Sequence, residues 1–140
     1  MAAIKVVLGE GAFFPERAHP YDAGLDLRTP YSFTIYPGES RTIDTGVHIE
    51  IPKGYVGMIK TKSGLNVRDG ITTEGVIDCG YTGSLRVKMR LDSESSMKSF
   101  SDGEKIAQLV IMPVNLDPLV QTDFLEKTER GEGGFGSTGK

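Results

Sequence analysis

From Ile43 to Ile51 the odd positions read Ile43, Thr45, Val47, Ile49 and Ile51, while Asp44, Gly46, His48 and Glu50 between them are polar or small. A period of two sustained over nine residues puts the apolar side chains on one face of an extended strand. A helix would scatter them around its circumference. Ser84 to Leu91 repeats the pattern, with Leu85, Val87, Met89 and Leu91 inward and Arg86, Lys88 and Arg90 outward. Tyr31, Phe33 and Ile35 make a third such run, closed by the turn pair Pro37-Gly38. No long segment carries helical spacing; Ser63 to Val67 allows one or two turns before the breaker Asp69-Gly70. Glycine, at 18 of 140 residues, is well above the usual share of about 7% and supplies the turns such a chain needs. The expected class is all-β: a jelly-roll-like sandwich or barrel of short strands.

Three denser apolar runs, Ile4 to Leu8, Tyr55 to Lys60 and Ile106 to Val114, read as strands buried on both faces. Pro113 should end the last of these or put it at an edge. The serine-rich stretch from Leu91 to Asp102 reads as a surface loop. With 140 residues there is room for one domain, expected over 1–128, and a different tail over 129–140. That tail has glycine at 131, 133, 134, 136 and 139 and one large apolar side chain, Phe135. It cannot bury enough surface to order itself, so it is either a flexible end or an arm ordered by a ligand or another subunit.

Charge and composition exclude several functions. A formal net charge of −3 argues against a nucleic-acid polymer as partner, which needs a concentrated cationic face. No apolar run approaches the roughly 18 residues of a membrane span. The first eight residues lack the basic flank and apolar core of a secretory signal. A single cysteine excludes an internal disulfide, which fits a reducing cytoplasm.

Two glycine patterns in the tail mislead. Gly131 to Gly136 matches G-x-G-x-x-G, but nothing around it reads as a strand–helix–strand unit. Gly134 to Lys140 begins a P-loop pattern and stops before its hydroxyl residue and helix. What survives is physical: free N–H groups with Ser137 and Thr138 can wrap phosphate oxygens. Cys79 has no histidine near it in sequence and reads as a buried or half-buried inert thiol rather than a nucleophile. No CxxC, HExxH or EF-hand loop offers a protein-held metal. Three short segments remain, each open to a structural or a functional reading. Ala23 to Leu27 sets Asp26 among apolar residues, and Lys62-Ser63-Gly64-Leu65 gathers a cation, a hydroxyl and a glycine. Gly75 to Tyr81 places Asp78 and Tyr81 at a glycine-bracketed turn.

In combination these segments resemble the five ordered motifs of the trimeric all-β dUTPases. The first is similar to Ala23–Leu27, the second to Lys62–Leu65 and the third to Gly75–Gly83, GVIDCGYTG. The fourth matches Gly103–Leu109, GEKIAQL, and the fifth Arg130–Gly139, RGEGGFGSTG. The resemblance implies hydrolysis of dUTP to dUMP and pyrophosphate with Mg²⁺, by water attacking the α-phosphorus. That activity keeps uracil out of DNA and supplies dUMP for dTMP synthesis. It also implies a homotrimer with active sites at subunit interfaces. Asp78 would be the general base and hold the 3′-OH, and Tyr81 would lie under the deoxyribose and refuse a 2′-OH. Backbone around Val76 and Ile77 would read uracil, with Thr72 and Arg86 lining the same site. Lys62, Ser63, Gly64 and Gln108 would meet phosphates. Asp26 would anchor waters around a Mg²⁺ held mainly by the triphosphate. Arg130, Gly136, Ser137 and Thr138 would grip the γ-phosphate while Phe135 stacks on the base, closing a neighbouring subunit's site.

Departures from the family pattern are Lys62 for the usual Arg, which keeps charge and loses the bidentate fork, and Thr72 for Asn. Glu74 adds a negative charge near the hairpin. A dCTP deaminase of the same fold would carry glutamate where this chain has Lys88, and would lack the glycine-rich arm. A nucleotide-gated regulatory protein on this fold is the alternative from another class.

Overall fold

The computed structural model describes residues 2–134. Among them are nine strands and one five-residue helix, an all-β architecture as the alternation requires. In chain order they are β1 (Val6–Leu8), β2 (Gly24–Arg28), β3 (Phe33–Ile35), β4 (Ser40–Ile49), β5 (Tyr55–Lys60), α1 (Ser63–Val67), β6 (Ile71–Ile77), β7 (Ser84–Leu91), β8 (Lys98–Phe100) and β9 (Lys105–Pro113). Seven strands form one curled sheet in the order β1-β4-β7-β6-β5-β9-β2, and β3 pairs with β8 in a separate ribbon. Every pairing is antiparallel. None of the described helices is long and apolar enough to cross a membrane.

The two long alternating strands behave as their period demands. In β4, Ile43, Thr45, Val47 and Ile49 are buried, and in β7 so are Leu85, Val87, Met89 and Leu91. They meet Phe33, Ile35, Ile59, Ile71, Ile106 and Leu109 in one core. Each such side chain contributes about 1.5–3 kcal/mol by leaving water. The buried Thr45 hydroxyl donates to the Leu85 carbonyl at 2.7 Å, and no buried side-chain polar atom among the described residues lacks a partner. The β4–β7 register shifts between Asp44 and His48, around Gly46 at φ +71°. That is a bulge built on a left-handed residue, which glycine adopts without a steric cost.

β6 is shared between two neighbours. Its first residues, Ile71–Thr73, pair with Leu91–Met89 of β7, whereas Glu74–Ile77 pair with Lys60–Gly57 of β5. The strand therefore changes partner halfway, and beyond Thr73 and Met89 the β6 and β7 backbones part like a fork. Thr73 closes the fork's base, donating its hydroxyl to the Lys88 carbonyl at 2.7 Å.

Some expectations change. Ile4–Leu8 is not buried on both faces: among the described residues β1 is an edge strand whose one sheet neighbour is β4, and Val7 is 66% exposed. β5 buries only Gly57 and Ile59, while Val56, Met58 and Lys60 on its other face are half-buried. In β9 the buried residues are Ile106, Ala107 and Leu109, while Met112, and Val114 just beyond the strand, are exposed. Pro113 does end that strand. The supposed loop from Leu91 to Asp102 contains β8, whose Phe100 is buried and stacks on Phe33 at 4.9 Å between ring centroids. Cys79 is exposed, because it lies in the loop beyond the end of β6, where no layer covers it. Among the described residues the regular structure stops at Pro113, and Asn115 to Glu132 is exposed throughout without helix or strand.

Candidate active site

The open fork between β6 and β7 encloses a cavity of about 250 Å³ lined by Val76, Ile77, Asp78, Tyr81, Ser84 and Arg86. Its existence follows from the partner change: the β7-facing edge of Val76 and Ile77 has no ladder partner there. Backbone N–H and C=O groups on such an edge are donors and acceptors waiting for a planar ligand. Asp78 is the first residue after β6. Among the described residues no side chain or N–H bonds its exposed carboxylate, so its lone pairs are available to water or a sugar hydroxyl. A turn follows, with the Tyr81 N–H donating to the Asp78 carbonyl at 3.1 Å. The Tyr81 hydroxyl donates to the Ser84 carbonyl at 2.7 Å.

Strand β4 braces this loop from behind. Ser84 donates its hydroxyl to Asp44 Oδ1, and the Gly46 N–H reaches both oxygens at 3.0 Å. His48 Nδ1 lies 2.8 Å from the Thr82 carbonyl, so that nitrogen carries the proton. The Ser84 hydroxyl and then the Gly46 N–H hold the Asp44 carboxyl below the usual aspartate range, with Arg86 and His48 adding to the effect against a smaller opposing cost of burial. Arg86 Nε stands 3.9 Å from Asp44 Oδ2.

A second cluster forms where β2, β9 and the start of α1 meet. Asp26 sits in β2 opposite Gln108, with its side chain 6% exposed. Lys62, the residue before α1, donates to Asp26 Oδ1, and Lys105 Nζ is 3.0 Å from Oδ2. Burial works to raise the Asp26 pKa, but the bonds and charges of the two ammonium groups outweigh it and hold the carboxyl below its usual range. One carboxylate between two lysines leaves a local surplus of positive charge facing outward, the sign a polyphosphate requires. Gln108 donates to the Thr61 carbonyl at 3.1 Å, and any side chain at Gly24 would collide with its amide oxygen. Ser63 and Gly64 are exposed in the first turn of α1, which Leu65 pins to the core.

The other expected residues lie elsewhere. Thr72 pairs with Arg90 and faces a separate cleft of about 310 Å³ with Asn66, Gly70, Asp92 and Ser93. Arg130 is exposed in a turn and donates to the Gly133 carbonyl. Phe135, Gly136, Ser137 and Thr138 fall outside the described residues. Among the described residues, no hydrogen bond, ion pair or shared cavity connects Asp78 or Tyr81 with Asp26, Lys62 or Lys105. The chain thus carries two half-sites. Lys105 is a member that sequence reasoning passed over; it stands in the fourth motif beside Gln108, but only the β2–β9 pairing shows that it reaches Asp26. Among the described residues, no three His, Cys, Asp or Glu side chains gather as a metal cage. The donor set therefore suits only a cation that brings most of its own ligands.

The family model that matches the chain is dUTPase, over residues 11–139. The deoxyuridine 5′-triphosphate nucleotidohydrolase of Leifsonia xyli subsp. xyli is 41% identical over 128 residues, 89% of this chain and 84% of that protein. The dUTPase of Staphylococcus bacteriophage 80alpha with dUPNHPP superposes with a TM-score of 0.90 at 32% identity, covering 100% of both chains. A mutant dUTPase from phage phi11 of S. aureus, described with a structural Mg(II) ion, gives 0.81 at 29% identity, over 90% of this chain and 100% of that one.

Proposed function

The chain belongs to the dUTPase family, and we propose that it hydrolyses dUTP to dUMP and pyrophosphate, with the fork cavity holding the nucleoside and the Asp26 cluster meeting the triphosphate. The observation that carries this reading is the unbonded Asp78 carboxylate beside Tyr81, at the mouth of a fork whose backbone edge has no ladder partner. Uracil inserts edge-on between Val76–Ile77 and the start of β7, exchanging hydrogen bonds with backbone as a neighbouring strand would. Tyr81 lies against the deoxyribose and excludes a 2′-hydroxyl.

Asp78 accepts a hydrogen bond from water, orients it at the α-phosphorus and takes its proton as the oxygen–phosphorus bond forms; pyrophosphate departs on the opposite side. Lys62 and Lys105 neutralise charge on the phosphate chain, aided by Ser63, Gly64 and Gln108, while Arg86 lines the nucleoside's fork. A Mg²⁺ ion arriving with the triphosphate would add charge neutralisation on its oxygens, and Asp26 would meet that ion only through water. Thr72 and Arg130 to Thr138 belong to the same reading: Arg130, Gly136, Ser137 and Thr138 close over the γ-phosphate and Phe135 over the base. In this division 1–128 is the catalytic domain and 129–140 its arm.

Two observations support a homotrimer with interfacial sites. The half-sites are separate within one chain, and Leu116, Leu119, Val120, Phe124 and Leu125 are all strongly exposed on the segment after β9. The proposed compartment is the cytoplasm, where the exposed Cys79 stays reduced. A second, regulatory role is favoured by one comparison: the 80alpha enzyme is described as controlling transfer of virulence genes by a G protein-like mechanism.

The deciding experiment follows pyrophosphate release from dUTP, dCTP, dTTP and UTP in parallel, with and without Mg²⁺. Turnover of dUTP alone, dependent on Mg²⁺, is expected. Turnover of dCTP would overturn the base assignment. Binding of dUTP without turnover would move the regulatory role ahead of catalysis.

A further inference from the structure

The Tyr81 ring leans back over its own loop, and Gly83 is what allows it. A Cβ built at Gly83 would lie 2.5 Å from the Tyr81 hydroxyl oxygen, 2.6 Å from Cζ and 2.9 Å from Cε1. Real Cβ atoms essentially never approach other atoms so closely. Gly83 is not among the glycines with positive φ, so the backbone conformation itself does not call for glycine. The ring does. Each residue along this stretch is also held: Tyr81 through its hydroxyl on the Ser84 carbonyl, Thr82 through its carbonyl on His48, Ser84 through its hydroxyl on Asp44.

We propose that Gly83 is a positioning residue for sugar selection: its missing side chain is the seat of the Tyr81 ring, and β4 fixes that seat through His48 and Asp44. The inference rests on Tyr81 being the surface that refuses a 2′-hydroxyl. Refusing one oxygen atom requires a wall that does not yield, because a displacement of about 1 Å is enough to change which ground and transition states fit. A ring packed into a vacancy on one side and bonded through its hydroxyl at the tip is such a wall. A methyl group at position 83 pushes it toward or away from the sugar, while leaving the base reader and Asp78 in place.

The test compares kcat/KM for dUTP and UTP in the parent, Gly83→Ala, Tyr81→Leu and the double variant. Gly83→Ala is expected to lower the dUTP:UTP ratio by about tenfold or more, with thermal midpoint little changed. In the Tyr81→Leu background, which lacks the hydroxyl, Cζ and Cε1 atoms that crowd position 83, adding Gly83→Ala should change the ratio no further. Multiplicative losses in the double variant would show that Gly83 acts independently of the ring and would overturn the inference. An unchanged ratio in Gly83→Ala, with Tyr81→Leu impaired, overturns it while leaving the sugar-wall reading intact. An unchanged ratio in Tyr81→Leu removes that reading and the inference together. Should Gly83→Ala fail to fold, His48→Ala probes the same seat by releasing the Thr82 carbonyl: a lowered ratio, again absent in the Tyr81→Leu background, supports the proposal and an unchanged one overturns it.

Discussion

Asp26 and Asp78 are both carboxylates in motif-bearing segments, yet their surroundings assign them opposite work. Asp26 is buried and paired with two lysines; Asp78 is exposed and bonded by nothing among the described residues. Only the second can accept a proton without dismantling an ion pair. Asp78→Asn keeps shape and hydrogen-bonding reach but loses the basic oxygen, so turnover should fall about 10²–10⁴-fold with KM for dUTP nearly unchanged, as steady-state kinetics will measure. Asp26→Asn should instead cost about 1–3 kcal/mol of folding stability in urea titrations, because Lys62 and Lys105 lose their common partner. Asp44 gives a pH signature. Its folded pKa lies below the unfolded value near 3.8, so its stabilising effect is complete above that value and is lost as pH falls through the folded pKa. The stability gap between parent and Asp44→Asn should therefore be constant near neutrality and shrink only below about pH 4. At this scale the sequence was informative where chemistry is carried by neighbours along the chain, as in GVIDCGYTG. It was silent on Lys105, whose partner Asp26 lies 79 positions away (105 − 26) and is met only through strand pairing.

The fork shows how an element becomes a site. β6 reads in sequence as an ordinary strand, and nothing in ITTEGVI announces that it pairs with β7 for three residues and with β5 for the next four. Alternation is a signal about faces, and a partner change is an event at the strand's edges, to which the side-chain period is blind. For the same reason β4 and β7 were legible, each having one buried face. The apolar run of β1 could not be told from a central strand, and three-residue β8 lay hidden in a polar stretch because Phe33, its stacking partner, is far away in sequence. The bulge in β4 is what aims Asp44 and the Gly46 N–H at Ser84. Gly46→Ala forces a left-handed alanine whose Cβ also meets Ala12 at 3.0 Å. It should cost about 1–2 kcal/mol in thermal or urea unfolding.

Within one chain the two half-sites stand apart, and the segment that follows β9 is rich in exposed apolar side chains. Past Pro113 the chain leaves the sheet, and Leu119 and Leu125 are 100% and 86% exposed. A monomer in water would not hold such side chains in the open, whereas a neighbouring copy can cover them. Under the proposed trimer, each Asp78 fork would face the Lys62–Asp26–Lys105 cluster of the next subunit. Complementation distinguishes this from a site built within one chain. Asp78→Asn and Lys62→Ala are each expected to be nearly inactive alone. If sites are shared, unfolding the two together at equal concentration and refolding them should restore activity, because some interfaces then take Asp78 from one variant and Lys62 from the other. With random assembly about one site in four is intact, so recovery should approach a quarter of the parent's rate. Refolding the variants separately and mixing them afterwards should restore much less if subunits exchange slowly. A site confined to one chain predicts no recovery under either protocol. Adding a third chain that lacks 131–140 extends the test to the arm: if the arm closes a neighbour's site, this chain contributes its own Asp78 and Lys62 to mixed assemblies and lifts activity, while remaining nearly inactive by itself.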